Sequence, residues 1–261
     1  MNGTTSPGTT VTEQRLRDAI EGRILDLYYQ PIVSLTDRSA TLLEALPRWP
    51  VGAGQVLGPD DFLDLAQRGG LLDGLERWGI RTAFDQLARW NRGVSAEMCV
   101  SLNLSEQNVF DGDITAAVEE AARETGASAE RVQFEISERA LADAAGRSLE
   151  KLRALADLGV SLTIDRFTGA APRERLEELP VGALKVGRDI VAGIPDDEAS
   201  LDAAAAAVEV AHELDLTVIA TGVENPGQLA SLRDMGFDRA QGFFFSVPMP
   251  AEVLEERMLP R

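Results

Sequence analysis

The chain has 261 residues, of which 44% are hydrophobic, and its 43 acidic against 25 basic side chains give a formal net charge of −18. This composition is typical of a globular protein, and the acidic excess excludes a generally basic nucleic-acid binder. The apolar runs are far shorter than the roughly 18 residues of a membrane span, and the polar start Met1–Thr10 does not resemble a secretory signal. We therefore expect a cytoplasmic protein without a transmembrane helix. The single cysteine, Cys99, has no disulfide partner and is expected to lie in the core.

Short β-rich runs alternate with stretches of helical periodicity, which is typical of βα units around a parallel sheet. Eight strands are predicted, at Leu27–Val33, Thr41–Trp49, Met98–Leu104, Val132–Ile136, Ser161–Ile164, Ala183–Val186, Thr217–Ala220 and Ala240–Phe245. Apolar residues at three- and four-residue spacing predict helices at Gly74–Asn91, Thr115–Glu124, Ser148–Leu158 and Leu201–Leu214. Gly159 and Gly236 follow helical patterns at the position of a left-handed cap. We expect an α/β fold of the TIM (α/β)8 barrel type, with a single domain over residues 15–261 after a flexible tail of residues 1–14.

Polar side chains lie in or directly after seven of these strand regions. They are Glu44, Asn103, Glu135, Asp165, Lys185, Glu224 and Gln241. Because the carboxyl ends of barrel strands converge on one face, we expect these side chains to meet around one ligand. Neighbouring carboxylates raise one another's pKa unless a cation neutralises them, and oxygen ligands suit Mg²⁺, Mn²⁺ or Ca²⁺. Zinc is disfavoured because its only soft ligands here would be Cys99 and His212, and His212 falls within a predicted helix, where we expect a structural role.

The tripeptide Glu44-Ala45-Leu46, followed by Pro47-Arg48-Trp49, resembles the signature of EAL-domain cyclic-di-GMP phosphodiesterases. Further segments match the family in order, namely Tyr29-Gln30-Pro31-Ile32-Val33, Ser101-Leu102-Asn103-Leu104-Ser105, Glu135-Ile136-Ser137-Glu138, Leu184-Lys185-Val186, Gly222-Val223-Glu224 and Ala240-Gln241-Gly242. The resemblance covers residues 20–255. It implies a modified TIM barrel whose first strand runs antiparallel to the others.

In that family two divalent ions activate a water that attacks one phosphodiester of cyclic-di-GMP, giving linear pGpG. The resemblance implies a first metal site formed by Glu44, Asn103, Glu135 and Asp165. It places Lys185 near the attacking water, Gln241 late in the active site and Glu138 beneath the loop that follows the fifth predicted strand. Gln30 and Arg48 match positions that contact a guanine and a phosphate.

Three positions depart from the family pattern, and all of them belong to the surroundings of the second ion. Arg166 replaces the second of two aspartates, Thr221 replaces the first glutamate of Ala-Glu-Gly-Val-Glu, and Gly187 replaces an aspartate after Lys185. A guanidinium cannot be deprotonated in proteins, and a threonine hydroxyl is neither an anionic ligand nor a useful base. The loop after Asp165 is also one residue shorter than in the family, which affects the loop motion and dimer contacts that the resemblance implies.

We therefore expect a catalytically degenerate EAL domain that serves as a non-hydrolytic cyclic-di-GMP receptor in signalling. Its ligand-binding residues would be Gln30, Arg48, Arg166, Glu224 and Gln241. In this interpretation Arg166 pairs with a ligand phosphate or with Asp165; in the alternative interpretation it points to solvent and the carboxylates are inherited remnants. Lys185 and Glu138 would be vestigial catalytic residues.

Two other functions stay open at this point. One is a protein-interaction module that no longer binds nucleotide, which Pro47 and the shortened loop favour. The other is a weak one-metal phosphodiesterase that produces pGpG, which the intact first metal set and Lys185 favour. No cofactor is required, with one Mg²⁺ or Ca²⁺ ion as an optional occupant of the first site. The expected partners are cyclic-di-GMP, a signalling protein and a second copy in a homodimer, without nucleic acid or membrane.

Overall fold

The computed structural model describes residues 11–52, 54–93 and 97–258. Its strands are β1 Asp26–Ser34, β2 Leu42–Gly52, β3 Gln55–Leu57, β4 Cys99–Asn103, β5 Val132–Ser137, β6 Ser161–Asp165, β7 Val181–Val186, β8 Thr217–Thr221, β9 Arg239–Gln241 and β10 Met249–Pro250. Its helices are α1 Glu13–Glu21, α2 Pro59–Arg68, α3 Leu72–Gly93, α4 Glu106–Phe110, α5 Ile114–Thr125, α6 Glu138–Asp143, α7 Arg147–Asp157, α8 Arg173–Glu178, α9 Arg188–Val191, α10 Glu198–Glu213, α11 Pro226–Asp234 and α12 Ala251–Met258, with a short 3-10 turn at Ala129–Arg131.

Eight of the strands close into a mixed α/β barrel. The order around the barrel is β1, β2, β4, β5, β6, β7, β8 and β9, and β9 pairs with β1 again. β1 is antiparallel to both β2 and β9, whereas all other neighbours in the barrel are parallel. The predicted barrel is confirmed, and so is the antiparallel first strand that the family resemblance implied. The remaining strands extend the rim, β3 as a hairpin partner of β2 and β10 along β1.

The apolar core of the described residues has an outer layer between the strands and the helices, an inner cluster inside the barrel, and a separate cluster where α1, α2 and β3 pack together. The outer layer buries large side chains such as Phe84 and Trp90 of α3 against strand residues such as Phe134. The inner layer is a small cluster of Ile32, Leu42, Ala183 and Ile219. Strand side chains alternate between faces, so each of these four shares the inward face with a polar residue two positions away. The inner cluster therefore forms the floor beneath the polar carboxyl ends of the strands.

Helix boundaries follow local signals in the sequence. Asn225 caps α11 in a reciprocal capping box with Gln228, and Pro226 occupies the first turn, where its missing N–H is not needed. Gly159 and Gly236 adopt φ values of +90° and +91° directly after α7 and α11. Since side chains rarely tolerate this left-handed conformation, the predicted glycine caps are confirmed.

Three expectations need correction. The eighth predicted strand ends at Gln241 rather than Phe245, because the chain turns at Gly242 and the Phe244 N–H bonds to the carbonyl of Val223. Cys99 is only half-buried, with its thiol donating to the Glu97 carbonyl at 3.7 Å. Residues 1–10 of the predicted tail lie outside the described residues, whereas residues 13 and 14 already belong to α1. No helix within the described ranges is long and apolar enough to cross a membrane.

Candidate functional site

A polar cavity of about 360 Å³ opens at the carboxyl ends of the barrel strands. Ten of the residues singled out from the sequence line it, namely Gln30, Glu44, Glu135, Asp165, Arg166, Lys185, Gly187, Thr221, Glu224 and Gln241. Most of them stand at or just beyond the end of a strand. Glu135 lies two residues before the end of β5, and Gln30 and Glu44 face each other in the β1–β2 register. The convergence expected from the barrel topology is therefore present for these residues.

A buried lysine holds the centre of the cavity floor. The Lys185 ammonium, 1% exposed, bonds to Glu135 and lies 3.1 Å from Glu44 Oε2. Glu135 is 2% exposed and also accepts a hydrogen bond from the Ser101 hydroxyl. Burial acts to lower the pKa of Lys185, but Glu135 and Glu44 outweigh it, so the pKa lies well above its usual value. The lysine is thus a permanent cation shared by two carboxylates.

The carboxylates around Lys185 are not equally neutralised. Burial, followed by repulsion from Glu44, raises the pKa of Glu135 to about 7 despite its contact with Lys185. Burial also raises the pKa of Asp165, which feels the charge of Glu44 as well. For Glu44, burial is outweighed by Lys185 and by hydrogen bonds from Gln241 and Asn103, so its pKa is lowered. Among the three carboxyls, Glu135 and Asp165 are therefore the ones whose ionised form is least stabilised.

The predicted first metal set fits a hard cation in its donor chemistry, because its ligands are carboxylate and amide oxygens and a bound cation would stabilise the ionised forms of Glu135 and Asp165. The side chains are, however, arranged around Lys185 instead. Asn103 donates its amide nitrogen to Glu44 Oε1 at 2.9 Å. In the described part of the chain, no three His, Cys, Asp or Glu side chains converge as a metal-binding group. The first metal site therefore stays a prediction, and metal would have to compete with the lysine.

Arg166 occupies the turn directly after β6, where the family has its second aspartate. Its backbone adopts φ +51°, and its Nε lies 3.5 Å from Asp165 Oδ2. The side chain is 73% exposed, so it combines the two alternatives considered from the sequence, a contact with Asp165 and access to solvent. A fixed positive charge here opposes a cation at the same place by repulsion.

At the other two departures the side chain itself supplies no carboxylate. The Thr221 hydroxyl donates to the Val186 carbonyl at 2.9 Å, which ties it to the neighbouring strand. A Cβ atom on Gly187 would lie 3.4 Å from Arg166 Cγ and 2.5 Å from Asp189 Oδ1, so the arginine stem uses the space above the glycine. Gly187, Thr221 and Arg166 therefore contribute no anionic side chain to this side of the cavity, although the Asp189 carboxylate lies beside Gly187.

A chain of amides joins the acid cluster to the segment after β9. The Gln241 amide nitrogen donates to Glu44 Oε2 at 2.7 Å and to Gln30 Oε1 at 3.0 Å, and Gln30 passes on a hydrogen bond to the Ser246 carbonyl at 2.9 Å. Gln241 is 4% exposed, and its Oε1 has no hydrogen-bond partner within the described residues. Gln30 is thus held by the protein, and Gln241 has one acceptor atom left for a ligand.

Arg48 is not brought into the cavity. Its Nη1 donates to the Pro47 carbonyl at 2.9 Å, and its guanidinium lies over the Tyr28 ring at 5.5 Å from the centroid. Burial lowers its pKa, although nearby acidic side chains and Tyr28 act against this. Phosphate contact through Arg48 would require the side chain to leave both partners.

Glu138 supports the loop after β6, as the family resemblance implies. Its carboxylate accepts hydrogen bonds from the Thr168 N–H, the Thr168 hydroxyl and the Ala171 N–H at 2.7–2.9 Å. The residue is 6% exposed and does not line the cavity. These hydrogen bonds fix the loop directly after the turn that carries Arg166.

The sequence interpretation missed Arg188, the first residue of α9, together with Leu46 and Phe243. All three line the cavity, and Arg188 Nη2 donates to Glu224 Oε1 at 2.6 Å. Arg188 directly follows Gly187 at the end of β7, so its place beside a strand end was the signal that could have identified it. The carboxylate of Glu224 is therefore already paired at the cavity mouth.

A mixed barrel with a polar cavity at the carboxyl ends of its strands defines the class of TIM-type α/β barrels. Comparison with known proteins then gives the family. The EAL domain matches residues 13–248, and the chain belongs to the EAL domain family.

Similar proteins include cyclic-di-GMP phosphodiesterases. NbdA of Pseudomonas aeruginosa, named a cyclic di-GMP phosphodiesterase, is 37% identical over 245 residues, which cover 94% of this chain and 31% of NbdA. PdeR of Escherichia coli, also named a cyclic di-GMP phosphodiesterase, is 31% identical over 244 residues, which cover 93% of this chain and 37% of PdeR. The solved structure of the PaMucR phosphodiesterase in complex with c-di-GMP has a TM-score of 0.87 at 31% identity, covering 92% of this chain and 98% of that one. The chain spans about a third of the length of these curated relatives.

Proposed function

We propose that this EAL domain binds cyclic-di-GMP without hydrolysing it and acts as a receptor in signalling. The observation that carries the proposal is Arg166, whose guanidinium lines the cavity 3.5 Å from Asp165 in place of a second-metal ligand. A pair of divalent ions would supply a nucleophilic hydroxide and stabilise charge on the phosphate. Losing one metal ligand set or one general base reduces rates by about 10² to 10⁴, and here both are replaced.

Binding is the part of the family function that the remaining residues support. Arg166 presents a planar set of donors that suits phosphate oxygens, and Gln241 keeps one buried acceptor atom unpaired among the described residues. The relationship to NbdA and to the PaMucR phosphodiesterase, solved with c-di-GMP, supports the choice of ligand. We extend the proposal to a single domain over residues 15–261, a cytoplasmic location, a protein partner and a homodimer.

Calorimetry and a turnover assay test the proposal together. Cyclic-di-GMP is titrated into the chain with EDTA, with Mg²⁺ and with Ca²⁺, and the same mixtures are analysed for pGpG by chromatography. We expect saturable binding in EDTA and no pGpG above the level of a no-protein control. Metal-dependent pGpG formation would contradict the proposal and favour a one-metal phosphodiesterase. The presence of all four residues of the predicted first metal site, together with Lys185, supports that alternative.

Restoring the lost carboxylates should restore cation binding. We predict that Arg166→Asp combined with Thr221→Glu raises the affinity for Mn²⁺ by about tenfold or more, because a repelling charge is removed and two anionic ligands are added. Titration calorimetry with Mn²⁺ measures the change. Arg153→Asp, at an exposed arginine on α7, reproduces the charge change of Arg166→Asp away from the cavity and is the control for it. An unchanged Mn²⁺ affinity in the double variant would contradict the local charge argument.

A protein-interaction module is the second candidate, and the engagement of Arg48 and Gln30 within the protein favours it. Arg48 bonds to Pro47 and lies over Tyr28, and both polar atoms of the Gln30 amide already have partners. This candidate predicts that cyclic-di-GMP does not bind and that no pGpG forms in any of the calorimetry mixtures.

A further inference from the structure

Two arginines stand side by side at the mouth of the cavity. Arg166 follows β6 and Arg188 follows β7, and both line the cavity together with Gly187. Their side chains are 73% and 69% exposed. The nucleotide-binding proposal uses only Arg166, so Arg188 is a second cationic group at the same opening.

Glycines make room for both arginine stems. Gly222 has φ +79°, and a Cβ atom there would lie 2.4 Å from Arg188 Cγ. A Cβ atom on Gly187 would lie 3.4 Å from Arg166 Cγ. The stems of the two arginines therefore lie over backbone at the ends of β7 and β8, and their guanidinium groups share one rim of the cavity.

Most donors of the two guanidinium groups are available to a ligand. A guanidinium has five N–H donors. Among the contacts of the described residues, the Arg166 side chain has an ion pair with Asp165 at 3.5 Å, and Arg188 has one with Glu224 at 2.6 Å. At 3.5 Å the first pair is longer than a good hydrogen bond. Each arginine can therefore donate two parallel N–H hydrogen bonds to a ligand, an arrangement called a fork here, while it keeps its protein partner.

Two forks match one kind of phosphate better than another. A phosphodiester has two non-bridging oxygens and one negative charge, which one fork satisfies. A terminal phosphate monoester has three such oxygens and a charge of about −1.5 to −2 near neutral pH. Two guanidinium groups at one rim offer more hydrogen-bond donors than a phosphodiester has non-bridging oxygens, and they therefore match the larger number of oxygens on the monoester.

We propose that this cavity also binds a linear guanine dinucleotide with a 5′-phosphate, and binds it more tightly than cyclic-di-GMP, because Arg166 and Arg188 together hold the terminal phosphate. The inference rests on the proposed nucleotide binding of the same cavity. It assigns to Arg188 a role in ligand selection.

Calorimetry with three nucleotides tests the selection. The full chain is titrated in EDTA with cyclic-di-GMP, with pGpG and with the unphosphorylated linear dinucleotide GpG. We expect pGpG to bind about tenfold or more tightly than either of the other two. In Arg188→Gln and in Arg166→Gln this preference should fall to about twofold or less, whereas Arg153→Gln, an arginine on α7, should keep it. Thermal denaturation confirms that each variant is folded.

The outcomes separate the two proposals. If cyclic-di-GMP binds uncut but pGpG binds no more tightly, or if its preference persists in both arginine variants, the inference fails and the receptor proposal stands. If GpG binds as tightly as pGpG, the terminal phosphate is not what the cavity selects, and the inference fails. If none of the three nucleotides binds, both proposals fail.

Discussion

At the scale of single residues, the cavity floor is governed by one lysine among three carboxylates. Lys185 contacts Glu44 and Glu135, while Asp165 faces Arg166 instead. Sequence reasoning identified the participants because polar residues at strand ends are unusual. It could not foresee that the ammonium would lie between the two glutamates, since strand spacing says nothing of side-chain conformation. Burial and the charge of Glu44 raise the pKa of Glu135 to about 7, so the pH dependence of protein stability reports on this residue.

Glu135 should make the protein less stable as the pH rises from about 4.5 to 7. The folded protein holds the Glu135 proton up to a pKa of about 7, whereas the unfolded chain releases it near 4.5. The native state therefore binds more protons in this window, and the free energy of unfolding falls with increasing pH. Glu135→Gln cannot exchange this proton. We predict that the parent loses about 1–3 kcal/mol relative to Glu135→Gln between pH 4.5 and 7.5.

Urea denaturation across this pH range measures the difference. Glu150→Gln, at an exposed position on α7, is the control and should run parallel to the parent. Parallel curves for the parent and Glu135→Gln would show that Glu135 is ionised in the folded protein, with Lys185 neutralising it fully. This would contradict the raised pKa of Glu135.

At the scale of elements, the strand pattern was predictable and the turns between strands were not. The eight barrel strands lie where the β-rich runs placed them, and the helices predicted at Gly74–Asn91 and Leu201–Leu214 correspond to α3 and α10. The run after Gln241 is apolar enough to predict a continued strand. A Cβ atom on Gly242, however, would lie 2.1 Å from the Val223 carbonyl oxygen. This close contact with another segment ends β9, and a local apolar pattern cannot reveal it.

The loop after β6 is the element on which Arg166 depends, and Glu138 is its main anchor. Glu138→Ala would leave three donors in Thr168 and Ala171 without their acceptor. Ala171 is buried and would lose its hydrogen bond without regaining water, whereas Thr168 is exposed and can bond to solvent. We therefore predict a loss of about 1–3 kcal/mol in the free energy of unfolding. Hydrogen exchange at the Thr168 and Ala171 amides should accelerate.

Denaturant unfolding and amide exchange check this prediction, with Glu150→Ala as the matched control on an exposed helix face. Glu138→Gln keeps one acceptor oxygen and should lie between the parent and Glu138→Ala. A loss no larger than in the control, with unchanged exchange, would mean that the loop is held by other contacts.

At the scale of the whole molecule, the antiparallel β1 closes the barrel and the acidic excess covers its outside. The alternation of β and α segments predicted a barrel, but only the family resemblance indicated the reversed strand, because hydrophobic periodicity has no direction. Ion pairs on the helices, such as Arg77 with Asp73 and Arg173 with Glu177, have exposed side chains and contribute little individually. Repulsion among the surplus acidic groups is therefore the main long-range electrostatic effect on stability.

Raising the ionic strength should accordingly stabilise the protein. Salt screens the repulsion of 18 excess negative charges more than it weakens the exposed ion pairs, so we predict that the melting temperature rises by about 2–5 °C between 20 and 300 mM salt. Scanning fluorimetry in NaCl and in choline chloride measures the shift, and equal shifts in the two salts indicate screening rather than binding of a particular cation. In MgCl₂ of matched ionic strength, Arg166→Asp combined with Thr221→Glu should gain more than the parent, because the restored carboxylates add specific binding to screening. A melting temperature that falls with added NaCl would instead show that the surface ion pairs outweigh the net charge.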